Sequence, residues 1–156
     1  MQREALSNAL TKSAFEFFFW FSRFEAALKE AGFLRREQEG QAAEPGWDSF
    51  VAEYAAKYAL TKSGEKLIQL APERQEVGPG KQLVWRPVGM DDCKSELCRV
   101  VRMLKTLRNN VFHGGKSGGA GWDQPDRTAT LLEAGTTELH NLAQLAGIEA
   151  DLWQRY

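Results

Sequence analysis

An aromatic run at residues 15–21 is the feature that most restricts the fold of this chain. Six of its seven residues are Phe or Trp, and aromatic side chains taken alone favour strands. Apolar residues on both sides nevertheless recur at spacings of three, four and seven, which is the period of a helix. They are Ala9, Leu10, Phe17, Phe21, Phe24, Leu28 and Ala31. The spacing predicts a helix over residues 2–31, and the run is far shorter than the roughly 20 apolar residues of a membrane span.

Aromatic side chains cover nearly every face of this predicted helix, whereas a helix at the surface of a monomer normally keeps one face polar. Two interpretations are open. In the first, the helix is deeply buried at the centre of the molecule. In the second, one face packs on the chain's own core and another packs on a second subunit.

The remaining sequence predicts further helices separated by loops and breaks. An exposed loop at 35–46 is followed by a helix from Trp47 to about Leu60, a break at Ser63-Gly64 and a short helix at 65–70. An irregular crossover at about 72–90, which could hold an extended piece, leads to a third main helix from Asp91-Asp92 to His113. A glycine-rich loop at 117–121 then precedes a last helix from Pro125 to Gly147, with one more turn in the tail. A length of 156 residues fits one domain. The sequence therefore predicts a single all-α domain over residues 1–156, an antiparallel bundle of four to five helices.

The charge is balanced overall but locally positive. The chain has 20 Lys and Arg against 21 Asp and Glu, a net charge of −1, which excludes a uniformly basic nucleic-acid-binding protein. Residues 99–127 carry six basic and two acidic side chains, a local net charge of +4. Any nucleic-acid binding would need a local basic patch of this kind, so function is sought first in that segment.

Cysteine and histidine are too few for a disulfide framework or a histidine-rich metal site. Cys93 and Cys98 match no zinc spacing, and five residues apart on a helix they would diverge, which predicts two reduced thiols. Only His113 and His140 are present, and His140 has no expected task. The sequence predicts no metal and no cofactor, and because no signal peptide opens it, a cytoplasmic location.

Gly115-Lys116-Ser117 matches the end of a phosphate-binding loop, but the rest of that motif is missing. Asn110 stands where the first glycine is required, a helix precedes the segment in place of a strand, and glycines follow where a helix must begin. The carboxylates give no alternative site, because they are predicted to lie singly on helix surfaces and not as an acid/base pair.

Polar groups suited to phosphate chemistry gather at the end of the third main helix. They are Arg108, Asn109, Asn110, His113 and Lys116. The proton of a histidine moves near neutral pH, and an arginine binds a phosphate through two donors. A purely structural interpretation is also open, with His113 as a cation on the helix dipole and Arg108 as a surface residue.

The segment Arg108-Asn109-Asn110-Val111-Phe112-His113 resembles the signature of the HEPN superfamily (higher eukaryotes and prokaryotes nucleotide-binding domains). That signature is an arginine, then a polar residue, then a histidine a few residues further on, near the end of the third main helix. Residues 18–25, Trp47-Asp48 and residues 112–116 are similar to one bacterial subgroup of the family. The resemblance covers most of the chain and is poorest over 64–90.

The resemblance implies a helical bundle, a homodimer, and cleavage of RNA without a metal. In many members arginine and histidine side chains from both subunits line one composite cleft. Helix geometry supports a dimer independently, because five residues rotate the direction of a side chain by about 140°. Arg108 and His113 therefore diverge within one chain, and a two-fold axis near the helix ends would let them converge.

In the expected mechanism a ribose 2′-OH attacks the neighbouring phosphate and leaves a 2′,3′-cyclic phosphate and a 5′-hydroxyl. His113 acts as the general base or acid, Arg108 binds the phosphate and stabilises its developing charge, and Asn109 orients Arg108 or the substrate. Further residues are expected to bind the RNA. They are Arg102, Lys105, Asn110 and Lys116.

One departure from the family concerns regulation. Toxin members controlled by nucleotidyl transfer carry a tyrosine two places after the histidine, where this chain has Gly115. A toxin or defence effector remains the expected role, and a protein antitoxin remains open as a partner. The alternative is a non-catalytic HEPN-like dimer that binds RNA, a nucleotide or a partner protein, and a third possibility is a helical adaptor in a larger assembly.

Overall fold

The computed structural model describes residues 8–113 and 124–153, which are mostly helical, as predicted. The elements are α1 (Asn8–Glu30), α2 (Trp47–Tyr54), α3 (Lys62–Leu70), β1 (Arg74–Val77), β2 (Leu83–Arg86), α4 (Glu96–His113), α5 (Pro125–Ala146) and α6 (Glu149–Trp153). The last helix and the extra turn of the tail are confirmed. Among the described residues, no helix combines the length and the apolar character that crossing a membrane requires.

The core forms where one face of α1 packs on α4, α5 and α6. Phe17, Phe21 and Phe24 are buried on this face of α1. Gly135 of α5 lets the two helices approach closely, because a Cβ atom at that position would lie 2.7 Å from the ring of Phe17. The helical period predicted from the sequence therefore correctly identifies the core face of α1.

The opposite face of α1 is exposed, so the interpretation of a helix buried on all sides is wrong. Phe15 is 68% exposed and Phe19 is 43% exposed. Phe18 lies beside them, and its ring stacks on that of Phe112 of α4, with centroids 5.8 Å apart. Phe112 is itself 60% exposed. We call Phe15, Phe18, Phe19 and Phe112 the aromatic surface.

The connection between α2 and α3 differs from the prediction. Helix α2 ends at Tyr54, well before Leu60, and Ser63-Gly64 lies in the first turn of α3 and not in a break. Thr61 explains the early start of α3, because its side chain caps the helix by accepting a hydrogen bond from the Gly64 amide at 2.9 Å.

A buried carboxyl group fastens this connection to α5. Glu138 is fully buried and accepts hydrogen bonds from Tyr58 at 2.6 Å, from Ser63 at 2.5 Å and from Thr61. Burial and the hydrogen bond to Glu138 raise the pKa of Tyr58, which keeps its hydroxyl a donor. The expectation that all carboxylates lie on helix surfaces is therefore wrong for Glu138.

Residues 74–86 form a β-hairpin within the segment predicted as an irregular crossover that could hold an extended piece, so the chain is mostly helical with one small sheet. Strands β1 and β2 pair antiparallel, with Arg74 opposite Arg86 and Val77 opposite Leu83. Gly80 lies in the turn with φ +63°, a conformation that glycine adopts without strain. The segment predicted as an irregular crossover therefore contains a regular β-hairpin.

The two cysteines form a disulfide, which corrects the prediction of reduced thiols. Helix α4 begins at Glu96 and not at Asp91-Asp92, so Cys93 lies in the turn before the helix. Its Cα atom is 5.5 Å from that of Cys98, within the range a disulfide requires. The argument that the two side chains diverge fails because only Cys98 is on the helix.

Candidate active site

Arg108 lies on α4 in a restrained position. Its guanidinium is 5.7 Å from the ring centroids of both Phe21 and Phe112, and its Nη1 donates a hydrogen bond to Asn109 Oδ1 at 2.9 Å. Cation–π contacts and this hydrogen bond together fix the direction of the side chain. Arg108 is half-buried and forms no ion pair among the described residues, so its charge is available to a ligand.

A groove of about 590 Å³ opens beside Arg108, between the start of α2 and the middle of α4. We call it the arginine groove; it is lined by Trp47, Asp48, Lys105 and Arg108, among others. Arg35 also lines it but is bound to Glu44 at 3.3 Å. Lys105 is exposed and forms no ion pair within the described ranges. Lys105 and Arg108 are therefore its cations without an ion pair in the described ranges, and the carboxylates of Glu25 and Asp48 lie in the same lining.

His113 is the last residue of α4 and is exposed. It lines a second cleft, of about 310 Å³, between the end of α4 and the β-hairpin. We call this the histidine cleft; its lining residues are Arg74, Gln75, Trp85, Asn109, Asn110 and His113. The ring of His113 meets that of Phe112 edge to face, with centroids 5.1 Å apart.

Within one chain, Arg108 and His113 do not face the same cavity. Arg108 lines the arginine groove and His113 lines the histidine cleft, as expected from five residues of helical rotation. Two residues connect the two cavities. Asn109 lines the histidine cleft while it binds Arg108, and the ring of Phe112 lies against both Arg108 and His113.

Two of the predicted RNA-binding residues already hold other groups in this structure. Both terminal nitrogens of Arg102 bind the carboxylate of Asp92, at 2.5 and 2.8 Å, and Nη1 also donates to the Gly89 carbonyl oxygen at 2.8 Å. The hydrogen bonds between Arg102 and Asp92 lower the pKa of Asp92 and raise that of Arg102. Asn110 Nδ2 donates to the Glu73 carbonyl oxygen at 2.8 Å. Lys116 lies outside the described residues.

Sequence reasoning missed the part of the site that the hairpin supplies. Arg74 and Trp85 line the histidine cleft, although both come from the segment with the least predictable structure. The only local signal was the apolar run Leu83-Val84-Trp85. The strands of the hairpin are too short to show a clear alternation of apolar and polar residues.

His140 is unconnected with these cavities. It lies on α5, where its ring is 4.8 Å from that of Trp20 and its Nδ1 is 2.9 Å from the Thr136 carbonyl oxygen. Within 8–113 and 124–153, no three His, Cys, Asp or Glu side chains gather as a metal site.

Comparison of the chain with protein-family models, with curated proteins and with solved structures finds no match.

Proposed function

We propose that this protein is an endoribonuclease of the HEPN type that acts as a homodimer and needs no metal. The observation that carries the proposal is the position of Phe112. Its exposed ring contacts both Arg108 and His113, and it stacks on Phe18 of the aromatic surface. A dimer contact on the aromatic surface would therefore lie directly beside both proposed catalytic groups.

The aromatic surface supports a second copy of the chain as the partner. Exposed aromatic side chains in one contiguous patch are typical of an interface, and a two-fold axis makes such a patch self-complementary. The same axis would bring Arg108 of one protomer toward the His113 of the other, which one chain does not do alone. In the proposed site each phosphodiester meets these two groups from different subunits.

The proposed reaction is attack of a ribose 2′-OH on the adjacent phosphorus with loss of the 5′-oxygen. His113 accepts the proton of the 2′-OH or donates one to the leaving oxygen. Arg108 stabilises the charge that builds on the phosphate oxygens, and its restrained position is suited to this because no reorganisation is required. Asn109 holds Arg108, and Lys105 attracts the RNA backbone. Arg102 and Asn110 contribute to the fold in this proposal through their bonds to Asp92 and Glu73.

Incubation of a single-stranded RNA with the protein in EDTA tests the proposal. We expect cleavage to products with a 2′,3′-cyclic phosphate and a 5′-hydroxyl, and no cleavage of DNA of the same sequence, which lacks the 2′-OH. Products with a 5′-phosphate, or cleavage of both polymers, would contradict the proposed chemistry.

A non-catalytic dimer that binds RNA, a nucleotide or a partner protein is the second candidate. The bonds that occupy Arg102 and Asn110 favour it, since they leave fewer polar groups for a substrate. RNA that binds to the purified protein and stays intact would select this candidate. In either case a role as a toxin or defence effector, with or without a protein antitoxin, remains part of the proposal.

A further inference from the structure

One side of the histidine cleft is lined by hairpin residues that have no role in the proposed cleavage reaction. Trp85 of β2 and Gln75 of β1 are register partners, and both line the cleft across from the end of α4. The hydrogen bond from Asn110 to the Glu73 carbonyl oxygen holds the start of the hairpin against α4. The cleft is thus formed in the free protein and has an aromatic residue in its wall.

Trp85 carries a polar atom that the fold leaves unused. Its indole Nε1 is buried and has no hydrogen-bond partner among the described residues. A buried donor without a partner is unfavourable. Because this atom is buried, a ligand in the cleft would contact Trp85 through the other atoms of the residue. Gln75, Asn109 and Asn110 place amide groups around the same space.

Arg74 of the hairpin lines this cleft, whereas Arg86, its partner across the strands, does not. Arg74 and Arg86 are direct partners across the strands, and like charges in this position repel. Arg74 binds Glu76 on its own strand and is 62% exposed, whereas Arg86 forms no ion pair in the part of the chain that the structure describes. Arg74 is therefore the cation that the hairpin contributes to the lining of the cleft, and it shares its charge with Glu76.

An aromatic wall and amide groups together fit a nucleobase, and Arg74 in the same lining provides a cation for its phosphate. We propose that the histidine cleft binds the nucleobase next to the cleaved phosphate, with Trp85 as the residue that determines its affinity. This inference rests on the proposed ribonuclease function, because it places the base beside His113. Base stacking on an aromatic side chain accounts for a large part of the binding of single-stranded nucleic acid. The base belongs to the nucleotide that keeps the cyclic phosphate.

Binding of the four nucleoside 3′-monophosphates, measured by isothermal titration calorimetry, tests this site without any cleavage step. We expect at least one of them to bind, ribose 5-phosphate not to bind measurably, and Trp85→Ala to weaken binding by about 10-fold or more. Trp85→Phe retains an aromatic ring for stacking, so it should weaken binding by only a few fold. Trp153→Ala is the matched control, because Trp153 is an exposed tryptophan on α6, and it should leave binding unchanged.

The outcomes separate this inference from the proposed function. Equal binding by the wild type and Trp85→Ala, with both proteins folded by circular dichroism, would overturn the inference even if RNA is cleaved. Binding of ribose 5-phosphate as tight as that of the nucleotides, or no binding of any nucleotide, would also overturn it. Nucleotide binding that depends on Trp85 supports the inference, and if RNA stays intact in the same preparation, only the ribonuclease proposal fails.

Discussion

The variant His113→Ala is expected to cleave RNA at least about 100-fold more slowly than the wild type, because it loses the group proposed to transfer the proton. Because His113 is exposed at the end of α4, the substitution should leave the stability of the fold nearly unchanged. The measurement is the initial rate of cleavage of a single-stranded RNA in EDTA. Thermal unfolding of the same samples checks that the fold is unchanged.

The second histidine of the chain is the matched control for this prediction. His140 lies on α5 beside Trp20, away from both cavities, so His140→Gln should cleave at the wild-type rate. A loss of activity in His140→Gln that equals the loss in His113→Ala would contradict the assignment. So would a wild-type rate in His113→Ala, which would indicate a contaminating nuclease or another base.

Replacing Glu138 by alanine should lower the free energy of unfolding by about 3 to 5 kcal/mol, because it leaves several buried donors without an acceptor. Tyr58, Thr61 and Ser63 all direct their hydroxyl groups at this carboxyl. Glu138→Gln keeps the shape and one acceptor oxygen, so its loss should be smaller, about 1 to 2 kcal/mol. Denaturation in urea at pH 7 measures both values.

Glu133 provides the comparison for a carboxylate on the same helix. It is exposed and forms no ion pair among the described residues, so Glu133→Ala should change the free energy of unfolding by less than about 0.5 kcal/mol. If Glu138→Ala were no more destabilising than Glu133→Ala, the carboxyl group would not be the link between α5 and the segment before α3.

The long helices could be predicted because their apolar period is sustained. In α1, α4 and α5 the same spacing repeats over several turns, and the buried residues follow it. The hairpin could not be predicted in this way, since each of its strands has four residues. The predicted start of α4 is too early, because the acidic residues at 91 and 92 resemble a helix start whereas Asp92 binds Arg102.

Residues of the candidate site were predictable where one helix carries them. Arg108 and His113 occupy the positions on α4 that their spacing dictates, and they diverge as expected. Two features of the site depend on contacts between separate elements, which local sequence patterns do not specify. They are the bond of Arg102 to Asp92 and the position of Trp85 in the lining of the cleft. Glu138 had a visible signal, because it lies among the apolar positions of α5 that face the core.

The central claim is that each active site combines Arg108 of one subunit with His113 of the other. Two differently tagged chains, one with Arg108→Ala and one with His113→Ala, can be co-expressed and purified through both tags as a heterodimer. Each variant alone should be inactive. In the heterodimer one of the two sites retains both groups, so its activity should be about half that of the wild-type dimer. A heterodimer as inactive as its parents, or a failure of the two chains to associate, would contradict the claim.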